Sequence, residues 1–477
     1  MNYYKKLLIK LLIMFKDNSL FNQSNDTIFA PITAVGGAIF ALRICGDDAI
    51  NIIKKLTDNQ SFKPRSRYAE LVNIYIDGKF LDEVIVIYFP KNSSFNGDET
   101  IEIFLHGGRY VFNKITEKII SLEVRYAYNG EFTKRAVLNG KIDLIKSEGI
   151  YQIINADSEL EHNSAVNAYN GKITEEYSKW RDLAIQILSI IEVNIDFSDE
   201  DRDETILSTK KIVDLFFELK NSVENVYKNR KLSEVNNNGL DIVIIGKPNV
   251  GKSSLINKLA NQDIAIVSSK PGTTRDFIKL KMIIGGVVLN IVDSAGIRRT
   301  EDEIESIGVS RALYLAKESL FNLILFKSID DLENLEYQIR QQDILILNQI
   351  DLLSSQEIND IIDKVLKKYD NSIIKISALQ GQGISDVLEE INFNIKDHIK
   401  SYNYNKDSML LNTRQMKIVE EIFNKIYECS NFLKENVYYE ILSEKIYEIA
   451  KLIGELSGDV INEDILDSIF SKFCIGK

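Results

Sequence analysis

Gly246-Lys-Pro-Asn-Val-Gly-Lys-Ser-Ser254 is the stretch whose reading decides the fold. The apolar run Leu240 to Ile245 before it suits a buried parallel strand, and Leu255, Ile256 and Leu259 after it repeat at helix spacing. Strand, glycine-rich turn and helix N-terminus together are the context of a phosphate-binding loop. Gly246 and Gly251 let the backbone curl so that successive N–H groups face phosphate oxygens, and the helix N-terminus adds partial positive charge. Lys252 is placed to reach the β- and γ-phosphates, and the Ser253 hydroxyl to ligate Mg²⁺. Asn249, Val250 and Ser254 complete the nucleotide contacts expected of this loop. A chance glycine turn ahead of a helix is the plain alternative, and it has no need of the full pattern.

The motifs downstream choose the nucleotide. The strand Val287 to Val292 ends in Asp293-Ser294-Ala295-Gly296, where Asp293 would hold Mg²⁺ through water and the Gly296 N–H would meet the γ-phosphate. Between the two motifs lies Pro271-Gly272-Thr273-Thr274-Arg-Asp276, a polar loop suited to order around Mg²⁺, with Thr274 the ligand. A strand from Asp343 to Leu347 leads into Asn348-Gln-Ile-Asp351. A carboxylate at Asp351 accepts from guanine N1–H and N2–H, which adenine cannot offer; leaving a buried polar group unpaired is a strong form of rejection. Ser377-Ala378, after the strand Ile373 to Ile376, would reach the guanine oxygen through backbone N–H. Four motifs in order, each at a strand end, indicate a GTPase. Gln349 stands where a lysine is usual between the Asn and Asp of this motif, which predicts weaker nucleotide affinity with base selection retained.

At 477 residues the chain should hold about three domains. Its 45% apolar and 27% charged content is ordinary for a globular protein, and a net charge of −12 argues against a general nucleic-acid-coating role. Cys45, Cys429 and Cys474 show no metal spacing and fit a reducing cytosol; no run reaches transmembrane length, so a cytoplasmic location without membrane contact is expected. Residues 1–25, with lysines ahead of an apolar Leu7 to Phe15, superficially suggest a signal peptide but show no small-residue cleavage site. They read as a disordered, non-essential extension, or as the product of a start codon placed ahead of a true one at Met14.

Residues 26–144 mix strands (Ala38 to Ile44, Val84 to Phe89, Thr100 to Leu105) with a helix from Tyr110 to Ser121. Residues 145–237 and 400–477 read as helices, with stripes such as Leu183, Ile187 and Ile190 to Ile191, then Ile212, Phe216, Leu219, Val223 and Val226, or Ile446, Ile449 and Ile453. Residues 238–399 form the GTPase domain, entered through a linker at Asn236-Asn-Asn-Gly239. The simplest architecture inserts that domain between two halves of one helical domain. Taken alone, His106 reads as a hydrogen-bonded structural histidine, and Lys134, Arg135 and Lys141 as a solvated face.

From Asp26 to Lys477 the chain resembles the MnmE (TrmE) family of tRNA-modification GTPases. The resemblance is carried by Asp26-Thr-Ile28, Leu42-Arg-Ile44, Glu102 to Gly108, Gly130 to Ala136, Leu138 to Asp143, Ile195-Asp-Phe197, the GTPase motifs and the terminal Cys474-Ile-Gly-Lys477. It implies a multidomain α/β and all-α protein: an N-terminal α+β folate-binding and dimerisation domain, a helical domain and an inserted Ras-like P-loop GTPase domain. It further implies a homodimer that works with a flavin-dependent partner, MnmG (GidA), to add an aminomethyl-type group at C5 of the wobble uridine of certain tRNAs. A 5-formyltetrahydrofolate site would fall on Arg43, Glu102, Lys141 and Lys477, with Cys474 a candidate for one-carbon chemistry. GTP contacts would extend along Ser268, Ser269, Lys270 and Pro271 to Thr274.

Ile297 occupies the position where many GTPases keep a water-orienting glutamine, so the water must be oriented otherwise. Glu305 matches the family's catalytic glutamate, and K⁺ held by Asn249, Ser268, Lys270 and Thr273 would stand in for an arginine finger. Three features depart from the family pattern: the glycine-poor Thr33-Ala-Val-Gly-Gly37 loop, Cys45 where serine is usual, and Asn129 where proline is usual. Two other readings stand beside this one. A GTPase acting as a ribosome or RNA assembly factor would carry a basic RNA-binding module, whereas the C-terminal helices here are acidic to mixed. A folate-dependent one-carbon enzyme using GTP only for regulation is the other.

Overall fold

A computed structural model describes residues 26–196, 202–262, 265–266, 279–293, 314–402, 408–435, 439–459 and 463–476. The chain divides into two compact units, Met1–Tyr151 with Ala168–Glu224 and Ile418–Lys477, and Gln152–Asn167 with Asn225–Lys417.

The first unit begins with a six-stranded mixed sheet in the order β3-β4-β5-β2-β1-β6. Its strands are β1 (Ile28–Pro31), β2 (Ile39–Cys45), β3 (Ala69–Ile76), β4 (Lys79–Phe89), β5 (Thr100–His106) and β6 (Arg125–Tyr126). The expected strands and the helix appear within a few residues of their predicted ends. β1, β3 and β6 are additions, and the expected Val84 to Phe89 strand begins earlier, at Lys79, where it forms a hairpin with β3. That hairpin turns on Asp77-Gly78, both at positive φ (49° and 75°), the Asp-Gly pair that a two-residue primed turn favours. Alternate residues of β4 and β5 (Val84 and Val86; Ile101 and Ile103) pack in one core with α1 (Ala49–Leu56) and α2 (Arg109–Ser121) through Ile53, Leu56, Ile115 and Ile119. α3 (Glu131–Leu138) follows the sheet.

From Leu144 the chain is helical: α4 (Leu144–Asn155), α5 (Glu159–Tyr169), α6 (Lys172–Asp196), α7 (Arg202–Tyr227) and α8 (Arg230–Asn238). The predicted stripes are buried, with Ile187, Ile191, Phe216 and Leu219 at 0–1% exposure. Trp180 of α6 is fully buried and donates from Nε1 to Ser222 Oγ of α7 at 2.7 Å, satisfying the one polar atom of the indole. The expected linker at Asn236 to Gly239 is instead the end of α8. Leu232 and Val235 of this helix enter the core of the second unit, and that packing outweighs the poor helix propensity of three asparagines.

The second unit contains a seven-stranded sheet in the order β13-β12-β11-β7-β10-β9-β8. Its elements are β7 (Leu240–Ile245), α9 (Lys252–Ala260), β8 (Ala265–Ile266), β9 (Lys279–Ile284), β10 (Val287–Asp293), β11 (Leu323–Phe326), α10 (Ile329–Glu333), β12 (Ile344–Leu347), α11 (Ser355–Leu366), β13 (Ile373–Lys375) and α12 (Ile384–Ser401). β7, β10, β11, β12 and β13 are mutually parallel, and β9 runs antiparallel to β10. Ile242, Val243 and Ile244 of β7 are completely buried; each such side chain contributes about 1.5–3 kcal/mol. The chain passes from β7 to β10 on one side and on to β11 on the other. That reversal of strand order opens a crevice at the C-terminal end of β7, where ligands of open α/β sheets bind.

α13 (Thr413–Glu435), α14 (Tyr439–Ser457) and α15 (Glu463–Phe470) complete the first unit. α14 packs along α6, and α15 packs against α3.

Candidate functional site

Every predicted nucleotide motif that lies in the described residues leaves the second sheet at the same edge. β7 hands over to Gly246, β10 ends at Asp293, β12 leads to Asn348 and β13 to Ser377. Asp293 pairs with Ile244, two residues before the loop begins. A β-carbon on Gly246 would come within 2.4 Å of Leu325 O, so the loop can leave the sheet here only as glycine. Asn249 (φ 61°) and Gly251 (φ 97°) both turn left-handed, which coils the loop before α9 begins at Lys252.

Lys252 is 7% exposed and donates to Gly246 O at 2.6 Å and Lys247 O at 2.8 Å. Burial lowers its pKa from the ordinary lysine value, and Asp293 partly opposes that. A desolvated ammonium aimed into the loop is strongly attracted to phosphate oxygens. Ser253 and Ser254 are exposed in the first turn of α9, and the Ser253 hydroxyl with Asp293 offers the hard oxygen donors that Mg²⁺ prefers.

The base end is braced by Asn348, which is buried. Its amide donates to Val250 O at 2.7 Å and its carbonyl accepts from Ala378 N–H at 2.9 Å, joining the phosphate loop to the Ser377-Ala378 loop. Gln349 adds a second tie, donating to Asn249 O at 3.1 Å from a left-handed backbone (φ 65°). Asp351 sits exposed in a short 3-10 turn, Ile350–Leu352, where its carboxylate is accessible to a base edge. Sequence reading assigned Asn348 to the nucleotide; its role as a brace between two loops is visible only in three dimensions.

In the first unit, Arg43 and Glu102 are cross-strand partners of β2 and β5. Arg43 donates from Nε and Nη2 to Glu102 Oε1 at 3.0 and 2.8 Å. The pair lines a cavity of about 100 Å³ whose walls include Phe89, Phe95, Asn96 and Thr100. Arg43 also lies 5.8 Å from the Phe95 ring and 5.2 Å from that of Phe132. A carboxylate, a guanidinium and aromatic walls suit the edge of a flat, hydrogen-bonding ring, which fits a pterin. Nothing in the pattern of the sequence pointed to Phe89. Lys141 donates to Asn92 O at 2.5 Å, on the loop that also carries Phe95. Cys45 lies behind this wall, bonded to Thr100 Oγ1 (3.1 Å) and Asn96 Nδ2 (2.8 Å), and burial pushes its thiol up to about 11.

The C-terminal tail reaches the same domain. Phe470 and Phe473 pack with Leu144 and Leu466, Asn129 donates to Ser471 O at 3.3 Å, and Gly130 N–H donates to Cys474 O at 3.4 Å. A β-carbon on Gly476 would meet Pro31 O at 2.2 Å. Pro31 follows Ala30, the cross-strand partner of Arg43. Cys474 is exposed at the end of this docked segment.

One expectation needs amendment. Arg135 is not part of a solvated face: it is 8% exposed and bonds Asp26 Oδ1 (2.7 Å) and Glu131 Oε1 (2.9 Å), while Arg125 grips Glu131 through both oxygens. These charges fix the start of the domain onto α3, with Arg135 and Glu131 buried and Arg125 and Asp26 closing the cluster at the surface. Lys134 pairs with Asp467 of α15 at 2.5 Å. His106 is held as expected, with Nδ1 2.6 Å from Asp82 Oδ1. Ser268 to Thr274, Ser294 to Gly296, Ile297, Glu305 and Lys477 lie outside the described residues.

A family profile described as "MnmE helical domain" matches residues 144–474, and one described as "GTP-binding protein TrmE N-terminus" matches residues 27–141. The tRNA modification GTPase MnmE of Clostridioides difficile (strain 630) is 37% identical over 469 residues, covering 95% of this chain and 99% of that protein. Its counterpart in Fervidobacterium nodosum is 38% identical over 464 residues, covering 96% and 98%. That of Rickettsia rickettsii (strain Sheila Smith) is 34% identical, covering 95% and 100%. The solved G domain of the T. maritima FeoB iron transporter, 21% identical over 33% of this chain and 98% of its own, gives a TM-score of 0.24, too slight to bear on the fold. With a profile spanning well over half its length and relatives matched end to end, this chain belongs to the MnmE family of tRNA modification GTPases.

Proposed function

We propose that this GTPase modifies the wobble uridine of certain tRNAs at C5, adding an aminomethyl-type group together with a flavin-dependent MnmG-type partner. The one-carbon unit comes from a folate held by Arg43, Glu102, Lys141 and Lys477. The observation that carries this reading is the seating of the tail: Gly476 lies against Pro31, next to the residue that pairs with Arg43, and Cys474 O accepts from Gly130 N–H. A bound folate supplies the carbon at an activated oxidation level. This chain's residues would orient it: Arg43 and Glu102 offer a hydrogen-bonding donor and acceptor for its polar groups, and Phe89 and Phe95 would keep water from it.

At the nucleotide site, Lys252 neutralises phosphate charge and Asp351 selects guanine. Ser253 and Thr274 would hold Mg²⁺, and Asn249, Ser268, Lys270 and Thr273 would hold a K⁺ that would supply positive charge beside the phosphates. Glu305 orients the attacking water. The protein acts as a homodimer in the cytoplasm.

The test is complementation of cells lacking the protein, read by mass spectrometry of wobble uridine. Deleting Cys474 to Lys477 should abolish the modification while GTP hydrolysis by the purified protein continues. Glu305→Ala should lower hydrolysis on the order of 10²–10⁴-fold at nearly unchanged nucleotide affinity. Asp351→Asn should shift preference from GTP toward xanthosine triphosphate. Normal wobble uridine in cells without the protein would refute the proposal.

A further inference from the structure

β10 carries a buried asparagine, Asn290, in the middle of an otherwise apolar strand. It is 5% exposed, and its amide donates to Asn238 O, the last residue of α8, and to Asp241 Oδ1, both at 2.9 Å. One residue beyond, Gly239 (φ 74°) presses so closely on the strand that a β-carbon there would lie 2.7 Å from Val288 O. At the turn preceding β10, Gly286 O accepts from the N–H of Leu160 in α5 at 3.1 Å, and Leu160 is buried in the same core as Val287 and Ile284. The start of α5 is itself stiffened, because Glu161 Oε2 accepts from Asp157 N–H (2.7 Å) and Ser158 N–H (3.0 Å).

The two helices are also tied to each other through the segment at 410–411. Ser164 of α5 donates to Leu410 O at 3.2 Å, Asn237 of α8 donates to Leu411 O at 2.8 Å, and Leu411 N–H donates to Ser233 Oγ at 3.0 Å. α5, α8 and this segment therefore form one bonded collar, and both helices are fastened to β10. The opposite end of the same strand is Asp293.

We propose that β10 is the transmission strand of this GTPase: a shift of Asp293 with nucleotide state moves α5 and α8 together through the Gly286 and Asn290 fastenings. The strand spans roughly 20 Å. Its ladders on both sides, to β7 and β9, make it move as a body, since close-packed interiors shift between discrete arrangements and do not deform continuously. Asn290 is itself buried, so its amide needs these two acceptors, and a leucine at position 290 would remove both fastenings at once.

The inference rests on Asp293 belonging to the nucleotide site, and the experiment separates the two claims. Amide hydrogen exchange is measured on the full-length protein with GDP and with GDP, aluminium fluoride, Mg²⁺ and K⁺. Phosphate-loop amides should differ between the two states, and so should amides of residues 160–165 and 232–239. Asn290→Ala should lose the difference over 232–239 while GTP hydrolysis stays within a few-fold of the parent. Ser164→Ala, which leaves the strand core untouched, should weaken the shared response of α5. Collar amides that exchange identically in the two states, while the phosphate loop responds, would overturn the transmission proposal and leave the GTPase reading intact. A full nucleotide-dependent response in Asn290→Ala would overturn it equally. Phosphate-loop amides that do not respond would remove the nucleotide reading, and the proposal with it.

Discussion

Asn348 occupies the space that a β-carbon on Gly251 would need: that carbon would come within 2.1 Å of the Asn348 amide nitrogen. The contact exists because Asn348 reaches past Gly251 to bond Val250 O, so the glycine and the asparagine form one device linking base end and phosphate end.

Gly251→Ala should therefore damage nucleotide binding twice over. The left-handed backbone alone costs about 1–3 kcal/mol, and the clash displaces Asn348 as well. Affinity for GDP, measured by titration with a fluorescent analogue, should fall roughly 5- to 150-fold, a tenfold loss being about 1.4 kcal/mol. Parental affinity would mean that the brace has no part in binding.

Gly476→Ala tests the docked tail. A side chain at φ 96° facing Pro31 O at 2.2 Å cannot be seated, so the last residues should detach. Carboxypeptidase should then trim the tail faster than in the parent, and wobble-uridine modification should drop sharply with GTP hydrolysis kept. Trimming at the parental rate would show that the glycine is dispensable.

The three thiols should separate by reactivity. Cys474 is exposed, whereas burial pushes Cys45 and Cys429 up to about 11, leaving little of the nucleophilic thiolate near pH 8. Brief iodoacetamide treatment followed by peptide mass spectrometry should find Cys474 alkylated first and Cys45 only after unfolding. Early labelling of Cys45 would contradict its position behind Thr100 and Asn96.

Acid should loosen the N-terminal domain through Glu131. Burial alone would raise its pKa, but its bonds to Arg125, the Tyr128 N–H and Arg135 prevail and lower it from the ordinary 4.5. Because the folded carboxylate holds its proton less tightly than the unfolded one, its contribution is complete above about pH 4.5 and is lost as pH falls through the lowered folded value. Melting temperatures of the parent should decline over that window more steeply than those of Glu131→Gln. Parallel curves for the two proteins would dismiss the ion cluster as the cause.

The nucleotide half of the site was legible because its chemistry is local. Gly246 to Ser254, Asp293, Asn348 to Asp351 and Ser377-Ala378 each sit within a few residues of an apolar strand, and strand ends in a parallel sheet share one edge. The cavity at Arg43 and Glu102 was less so. Arg43 and Glu102 are 59 positions apart and meet only through the β2–β5 register, and Phe89 joins them from a third strand. Arg135 differs from the surface cation its sequence suggests because its partners, Asp26 and Glu131, lie 109 and four positions away and nothing local marks its own burial.

Local pattern by itself determined where β7, β10, β12 and α9 lie and which loops leave the sheet at their C-terminal ends, because periodicity and loop chemistry act over fewer than about ten residues. Tertiary structure decided what is remote in the chain: the docking of Gly476 on Pro31, the brace of Asn348 across three loops, and the fastening of α5 and α8 to β10. Such contacts depend on register and close packing between segments that are tens to hundreds of residues apart, and a buried donor such as Asn290 acquires its meaning only when the carbonyl it satisfies is brought against it.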